Sequence, residues 1–480
     1  MDVSASYAIE TINIQSFLFG LVTLLLVRWF MTRTKHNYNL PPGPTSFPII
    51  GNLPQMITTT DLCSKMKDFR KQYGDIFKLK LGSDTLVTVC KTEWILEGLV
   101  KKGDELKGRP YWIYMAELLS RKQGIFFNTG KEWKDLKKFI YATFRDLGMG
   151  KRKLEDQIYL ETQRLSKVFQ SHNGKPFSLG DPLAYFSLSI VYDIIFGERI
   201  RFGELEFQEI VENLRFFFKN SSAFIPENFF PFLRFFRWNS PIEQIVKNDK
   251  KIRSYIKKKI REHKETYNGD YIRDFVDVYL LTLEKEPNNE SLSGSYFVDN
   301  FSFSLDAQRG RNKFYDCSRL ITNLNRPVTM EDKRHMTYVA ATLLEVQRIA
   351  PVAPLTVPHA SEVDTTLGGY DIPKNTVVQF MLMAAHYDPN YWDNPDEFRP
   401  ERWIGENNKL KKNEAYMPFS LGPRICAGVS LVNIESFIAF SNILQKFKLE
   451  SPDETPMTME GRQSGITYVP VKNNIRAIPL

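Results

Sequence analysis

A mainly α fold with a smaller β-rich part is predicted by three features of the sequence. Residues Asp181 to Phe196 form a strongly apolar helical run that reads as core. Ser240 to Lys285 is charged and helical, and reads as a solvated stretch without chemistry of its own. Against these, the β-rich runs are short, such as Ile76 to Leu81, Thr85 to Val89 and Thr366 to Pro373. The bulk properties fit a large globular body. The chain has 480 residues, 42% hydrophobic and 25% charged. Four scattered cysteines argue against a disulfide framework and place the body in a reducing compartment. A net charge of +8 and a pI near 9.0 suit anionic membranes, acidic protein partners or nucleic acid. No nucleic-acid module is visible, which leaves the first two.

Residues 1–11 read as a lumenal N-terminus that precedes a transmembrane signal anchor over 12–31. The anchor holds about twenty mostly apolar residues, enough to cross a bilayer as a helix. Arg28 can snorkel and Trp29 suits the headgroup level. Asp2 and Glu10 precede the segment while Arg33 and Lys35 follow it, so the body is expected on the cytoplasmic side. Residues 32–52 form a proline-rich linker around Leu40-Pro-Pro-Gly-Pro44, with Pro48 and Gly51 behind it, too rich in proline for helix. Residues 53–480 are the main body. No G-x-G-x-x-G follows a strand, so a dinucleotide domain is not expected.

Gly130-Lys-Glu-Trp133-Lys-Asp-Leu-Lys137 opens a helix with Trp133 and Lys137 on one face. The segment also carries Lys131, Lys134, Lys138, Arg145, Lys151, Arg152 and Lys153, a cationic surface suited to an acidic partner or simply to solvent. Between Leu214 and Trp238 phenylalanines are dense and broken by Pro226 and Pro231. Exposed, they would insert into lipid; buried, they would line an apolar cavity or core. Glu345 and Arg348 lie one helical turn apart, and Pro400-Glu401-Arg402-Trp403 supplies a second arginine able to clamp the same carboxylate. His359 follows Val357-Pro358 and is either a polar ligand contact or an ordinary surface histidine.

The stretch that organises the chain is Phe419-Ser-Leu-Gly422-Pro-Arg424-Ile-Cys426-Ala-Gly428, followed by an apolar helical pattern. Gly422 permits a tight loop that turns Cys426 toward a flat ligand, and Gly428 lets the next helix start close to it. Backbone N–H groups at that helix start would stabilise a thiolate. Arg424 could pair with a carboxylate and Phe419 could cover the outer side of the sulfur. Cys63, Cys90 and Cys317 lack such a setting and read as inert. The ten-residue pattern resembles the haem-binding loop of the cytochrome P450 family, and the order E-x-x-R, P-E-R-W, cysteine loop matches that family's framework over nearly the whole chain.

The resemblance is to the microsomal drug- and steroid-hydroxylating branch. It implies the cytochrome P450 fold, with haem between distal and proximal helices and Cys426 as axial iron ligand. Trp133, Lys137, His359 and Arg424 would hold the propionates, with lysine standing at 137 where arginine is usual. Glu345, Arg348 and Arg402 would brace the proximal side. It further implies a monooxygenase that inserts one oxygen atom from O2 into an apolar steroid, fatty acid or xenobiotic, supplied with NADPH electrons by an NADPH-cytochrome reductase. The location would be the endoplasmic reticulum membrane, single-pass, with no nucleic acid as partner. One segment departs. The family's distal small-Gly-x-acid-Thr motif is missing from Tyr296 to Cys317, where Ser302, Ser304 and Asp306 have no matching spacing, so no catalytic acid or threonine is assigned. A spliced segment, a haem-thiolate isomerase or dehydratase that needs no reductase, and a non-catalytic membrane protein are the three readings of that departure.

Overall fold

The structure is a computed structural model. It describes residues 38–57, 61–110, 112, 124–147, 152–200, 204–220, 226–230, 233, 241–287, 326–452, 461–464, 467–470 and 474–480, with scattered positions between 15 and 27. The expected anchor falls mostly outside these residues; among the described ones no helix is long and apolar enough to cross a membrane. The segment from Tyr296 to Cys317 and Lys151 also lie outside them.

The β-rich part comes first. Asp61 caps helix α1 (Leu62–Tyr73), its carboxylate accepting from the amides of Cys63 and Ser64. Strands β1 (Ile76–Leu81) and β2 (Asp84–Val89) then pair antiparallel through a turn at Gly82, whose φ is +59°. Strands β3 (Phe177–Ser178), β4 (His359–Ala360), β5 (Thr365–Leu367), β6 (Tyr370–Ile372) and β7 (Val377–Phe380) follow along the chain. One sheet runs β1-β2-β7-β4, with β2 and β7 parallel. A bridge between Gly108 and Ala360 brings His359 to the Leu106 carbonyl. The proline segment does not hang free: Pro42 accepts from the Lys78 amide, and a side chain at Gly43 would collide with the Lys78 carbonyl.

The helical part contains α2 (Gly130–Asp146), α3 (Arg152–Ser171), α4 (Gly180–Phe196), α5 (Leu205–Asn220), α6 (Pro241–Glu265), α7 (Phe275–Lys285), α8 (Thr337–Ile349) and α9 (Val429–Leu444). Helix α4 is core, as its apolar run predicts, with Ile190, Tyr192, Ile195 and Phe196 buried. It stops at Gly197, φ +62°. Helix α9 packs into the same core through Leu431, Ile434 and Ile438, which anchors the cysteine loop that precedes it.

One expectation needs correction. The charged stretch 240–285 is two helices, and its break is not merely solvated. At the break His263 Nε2 lies 2.7 Å from Asp274 Oδ2, and Arg273 forks onto Asp277. All three of His263, Asp274 and Asp277 are buried, and Asp274 caps α7 there. The phenylalanine-rich region from Leu214 to Trp238 lies partly outside the described residues. Within it Leu214 is core, while Phe216, Phe217, Phe229 and Phe230 are half-buried.

Candidate functional site

Cys426 sits in a loop that the backbone closes in one way. Ser420 and Gly422 both have positive φ, +61° and +71°. A side chain at Gly422 would collide with the Leu99 carbonyl of a π-helical turn (Glu97–Lys101), so only glycine fits there. The Cys426 amide donates to the Phe419 carbonyl at 3.0 Å, which ties the two ends of the loop. Burial pushes the Cys426 thiol up, and the Gly428 amide, which bonds the sulfur, only partly offsets this. The amide at the helix start thus favours the thiolate, while burial outweighs it, and a bound cation would have to draw the proton off. A Cβ at Gly428 would meet only Cys426 Sγ at 3.8 Å, an ordinary contact, so protein neighbours set no demand for glycine there. Phe419 is half-buried.

Beside the loop lie two guanidiniums, one half-buried and one buried. Arg424 stacks on Trp133, its guanidinium carbon 3.8 Å from the ring centroid, and donates to the carbonyls of Lys107, Ile125 and Asn128. Arg109, 6% exposed, donates to the carbonyls of Phe126, Val357 and Pro358. Burial, with Arg109 adding its charge, drags the Arg424 guanidinium down to about 8; Glu362 acts on it only through its field. Burial alone takes Arg109 to about 9. One buried and one half-buried guanidinium, both bonded to carbonyls, are short of negative charge, and an anionic ligand would relieve them.

His359 is not a surface histidine. It is 3% exposed, and Nδ1 lies 2.7 Å from the Leu106 carbonyl. Burial, then Arg109 and Arg424, hold it well below the usual histidine range. The neutral ring donates from Nδ1, so Nε2 becomes a donor only on protonation. The Lys137 ammonium donates to the Pro423 carbonyl at 2.6 Å and lies over the rings of Trp133 (5.2 Å) and Tyr141 (5.6 Å). Burial, then the Arg424 charge, lowers its pKa.

On the far side of the loop's support, Glu345 and Arg348 are both fully buried. Glu345 Oε1 accepts from Arg348 Nη2 (2.8 Å), Arg402 Nε (3.0 Å) and the Arg399 amide (3.0 Å). Oε2 accepts from Arg348 Nε and Trp403 Nε1, each at 2.9 Å. Burial pushes this carboxyl up, yet Arg348, the Arg399 amide and Trp403 together bring it below the usual range. Arg348 also reaches the carbonyls of His386 and Pro395, and Arg402 those of Asp393 and Asn394. Helix α8 and the 393–403 loop are thus locked together, as the E-x-x-R and P-E-R-W spacing predicts.

Arg109 is the site residue that sequence reasoning missed: it stands in no motif, and only strand pairing brings it to His359. Trp403 was visible within P-E-R-W but not as a donor. The donor set fits haem. A sulfur faces the loop's inner side, two anion-seeking guanidiniums lie beside it, and Ser420 Oγ and Asn128 Nδ2 are buried there without a hydrogen-bond partner among the described residues.

Comparison with known proteins agrees. A family model described as Cytochrome P450 matches residues 41–298 and 316–476, passing over part of the segment that lacks the distal motif. Cytochrome P450 2B2 of Rattus norvegicus is 35% identical over 477 residues, which cover 93% of this chain and 95% of that protein. Cytochrome P450 2B4 of Oryctolagus cuniculus is 33% identical over 488 residues, covering 96% and 97%. Cytochrome P450 2J2 of Homo sapiens is 30% identical over 491 residues, covering 97% and 96%. With matches of this length on top of the loop and its brace, the chain belongs to the cytochrome P450 family and is a haem-dependent monooxygenase, an oxidoreductase.

Proposed function

We propose that this protein is a membrane-anchored monooxygenase of the endoplasmic reticulum that acts on an apolar substrate: a steroid, fatty acid or xenobiotic. The observation that carries the site assignment is the pairing of the glycine-closed Cys426 loop with two anion-seeking arginines, Arg109 buried and Arg424 half-buried. Cys426 would ligate the iron, and Arg109 and Arg424 would hold the propionates, with His359 and Trp133 completing that edge. Haem, when bound, supplies the activation of O2 with NADPH-derived electrons. The chain's own contribution is to present one thiol, exclude water around it and place positive charge where carboxylates lie. Lys131, Lys134, Lys138 and Arg145 are exposed on α2 and support docking of an acidic reductase on the face that carries the Cys426 loop.

The test is a carbon-monoxide difference spectrum of the reduced chain in membranes, alongside Cys426→Ser. A thiolate-type band in the parent that is lost in the variant is expected. Retention of that band in Cys426→Ser would end the assignment. Turnover that needs reductase and O2 then separates the monooxygenase from a reductase-independent isomerase.

A further inference from the structure

We propose that the cluster of His263, Arg273, Asp274 and Asp277 is a charge-balanced latch: it holds α2, and through α2 the cysteine loop, in place while His263 is positively charged. The effect on the loop rests on the Cys426 assignment above; the hold on α2 does not. These side chains lie outside the site already described. Three of them are almost fully buried, with side-chain exposures of 7%, 1% and 0% for His263, Asp274 and Asp277.

The latch follows from the charges. His263 Nε2 donates to Asp274 Oδ2 at 2.7 Å and lies 3.5 Å from Asp277 Oδ1. Arg273 donates through Nε and Nη2 to the two oxygens of Asp277, at 2.7 and 2.8 Å. Two carboxylates against one guanidinium leave one negative charge over, and an imidazolium at 263 cancels it. A buried charge without a counter-charge is costly, so the protonated cluster is the tight one. Burial pushes the Asp277 carboxyl up, but Arg273 and, after it, His263 bring it below the usual range. Further out the charges already cancel. Glu198 bonds Lys259 at 2.8 Å, and Asp193 of α4 stands in the fields of Arg199 and Lys153. Tyr267, which feels Asp277, is bonded to Glu284.

Asp274 converts this balance into position. Its Oδ1 accepts from the Asp277 amide at 3.0 Å and caps α7, while Oδ2 is the atom that meets His263. The carboxylate is pressed against the end of α4: a side chain at Gly197 would stand 2.7 Å from Oδ2. The next residue, Phe275, is 4% exposed and meets two rings of α2 edge-on, Phe139 and Phe144, each 5.6 Å away. Helix α2 also carries Lys137, bonded to the Pro423 carbonyl, and Trp133, stacked on Arg424. A shift of the α7 cap therefore reaches the cysteine loop through three rings and one helix.

The experiment uses the full chain in membranes and follows two readouts. One is hydrogen exchange of the α2 amides, the other the neutral-thiol fraction in the carbon-monoxide spectrum. His263→Gln keeps a donor for Asp274 but not the charge, and at neutral pH it should raise both readouts several-fold. Adding Asp274→Asn removes one negative charge while keeping a capping oxygen, and should return both to the parent's level. A packing role requires the reverse, a double variant at least as loose as the single. That result would overturn the proposal, as would a His263→Gln chain that matches the parent. In the parent itself the neutral-thiol fraction should rise between about pH 6 and about pH 8.5, across the ordinary histidine range. The sign separates the latch from the cysteine, whose own titration lowers that fraction as pH rises. A flat or falling fraction would overturn the latch even if neither variant folds. If the parent shows no thiolate band at any pH, the Cys426 assignment fails, and α2 exchange alone upholds or overturns the latch.

Discussion

Lys137 stands where the family usually has arginine, and the consequence is local. It keeps the charge but has no fork, and its one ammonium is already bonded to the Pro423 carbonyl, three residues before Cys426. That bond supports a role in positioning the loop. Lys137→Met should leave haem content near that of the parent but raise the neutral-thiol fraction in the carbon-monoxide spectrum several-fold, and Lys137→Arg should restore the thiolate band. A proportionate loss of haem instead would return Lys137 to the propionates. The motif spacing put Lys137 beside Trp133 correctly. It could not reveal that Arg424 shares that ring at 3.8 Å while the lysine's ammonium bonds the Pro423 carbonyl.

Among the elements, the cysteine loop is the most constrained. It is held from below by α9, whose apolar face is core, and from the side by the π-helical turn at Glu97–Lys101. Gly422→Ala meets both a positive φ and the Leu99 carbonyl, so the backbone term alone costs about 1–3 kcal/mol and the collision adds to it. A fall in thermal midpoint together with loss of bound haem is expected; a fully loaded, equally stable variant would show that the turn can move aside. Glycine at 422 was legible because the motif demands a tight turn. The turn that demands it was not, since residues 97–101 lie more than 300 positions upstream and carry no signature. The same limit hid the break between α6 and α7: a charged helical pattern says nothing about an aspartate that caps inward.

Across the whole molecule, Glu345 joins the helical part to the loop beneath the cysteine segment. Removing it leaves Arg348 buried with no counter-charge, which costs about 3–5 kcal/mol. Glu345→Ala should therefore give haem-free or aggregated protein, measured as the haem-to-protein ratio after purification; a stable, loaded variant would refute the brace. The pH dependence follows from the sign of the shift. Glu345 titrates below its unfolded value near 4.3, so its contribution is complete above that pH and is lost as pH falls through the lower folded value. Asp332, held down to about 2 first by its hydrogen bond from Arg326, acts in the same direction. Acid unfolding should begin below about pH 4, and Glu345→Gln should flatten that limb. By itself the sequence determined what is local: the apolar run of α4, the hairpin β1–β2, the i,i+3 pair Glu345–Arg348 and the ten-residue cysteine pattern. Each is written in spacings of a few residues, where backbone geometry alone decides which side chains share a face. Tertiary structure alone decided the rest: Arg109 beside His359, Lys137 on Pro423 and five donors on one carboxylate. Those depend on which strands pair and which charges are buried together, and long-range packing leaves no periodic trace in the chain.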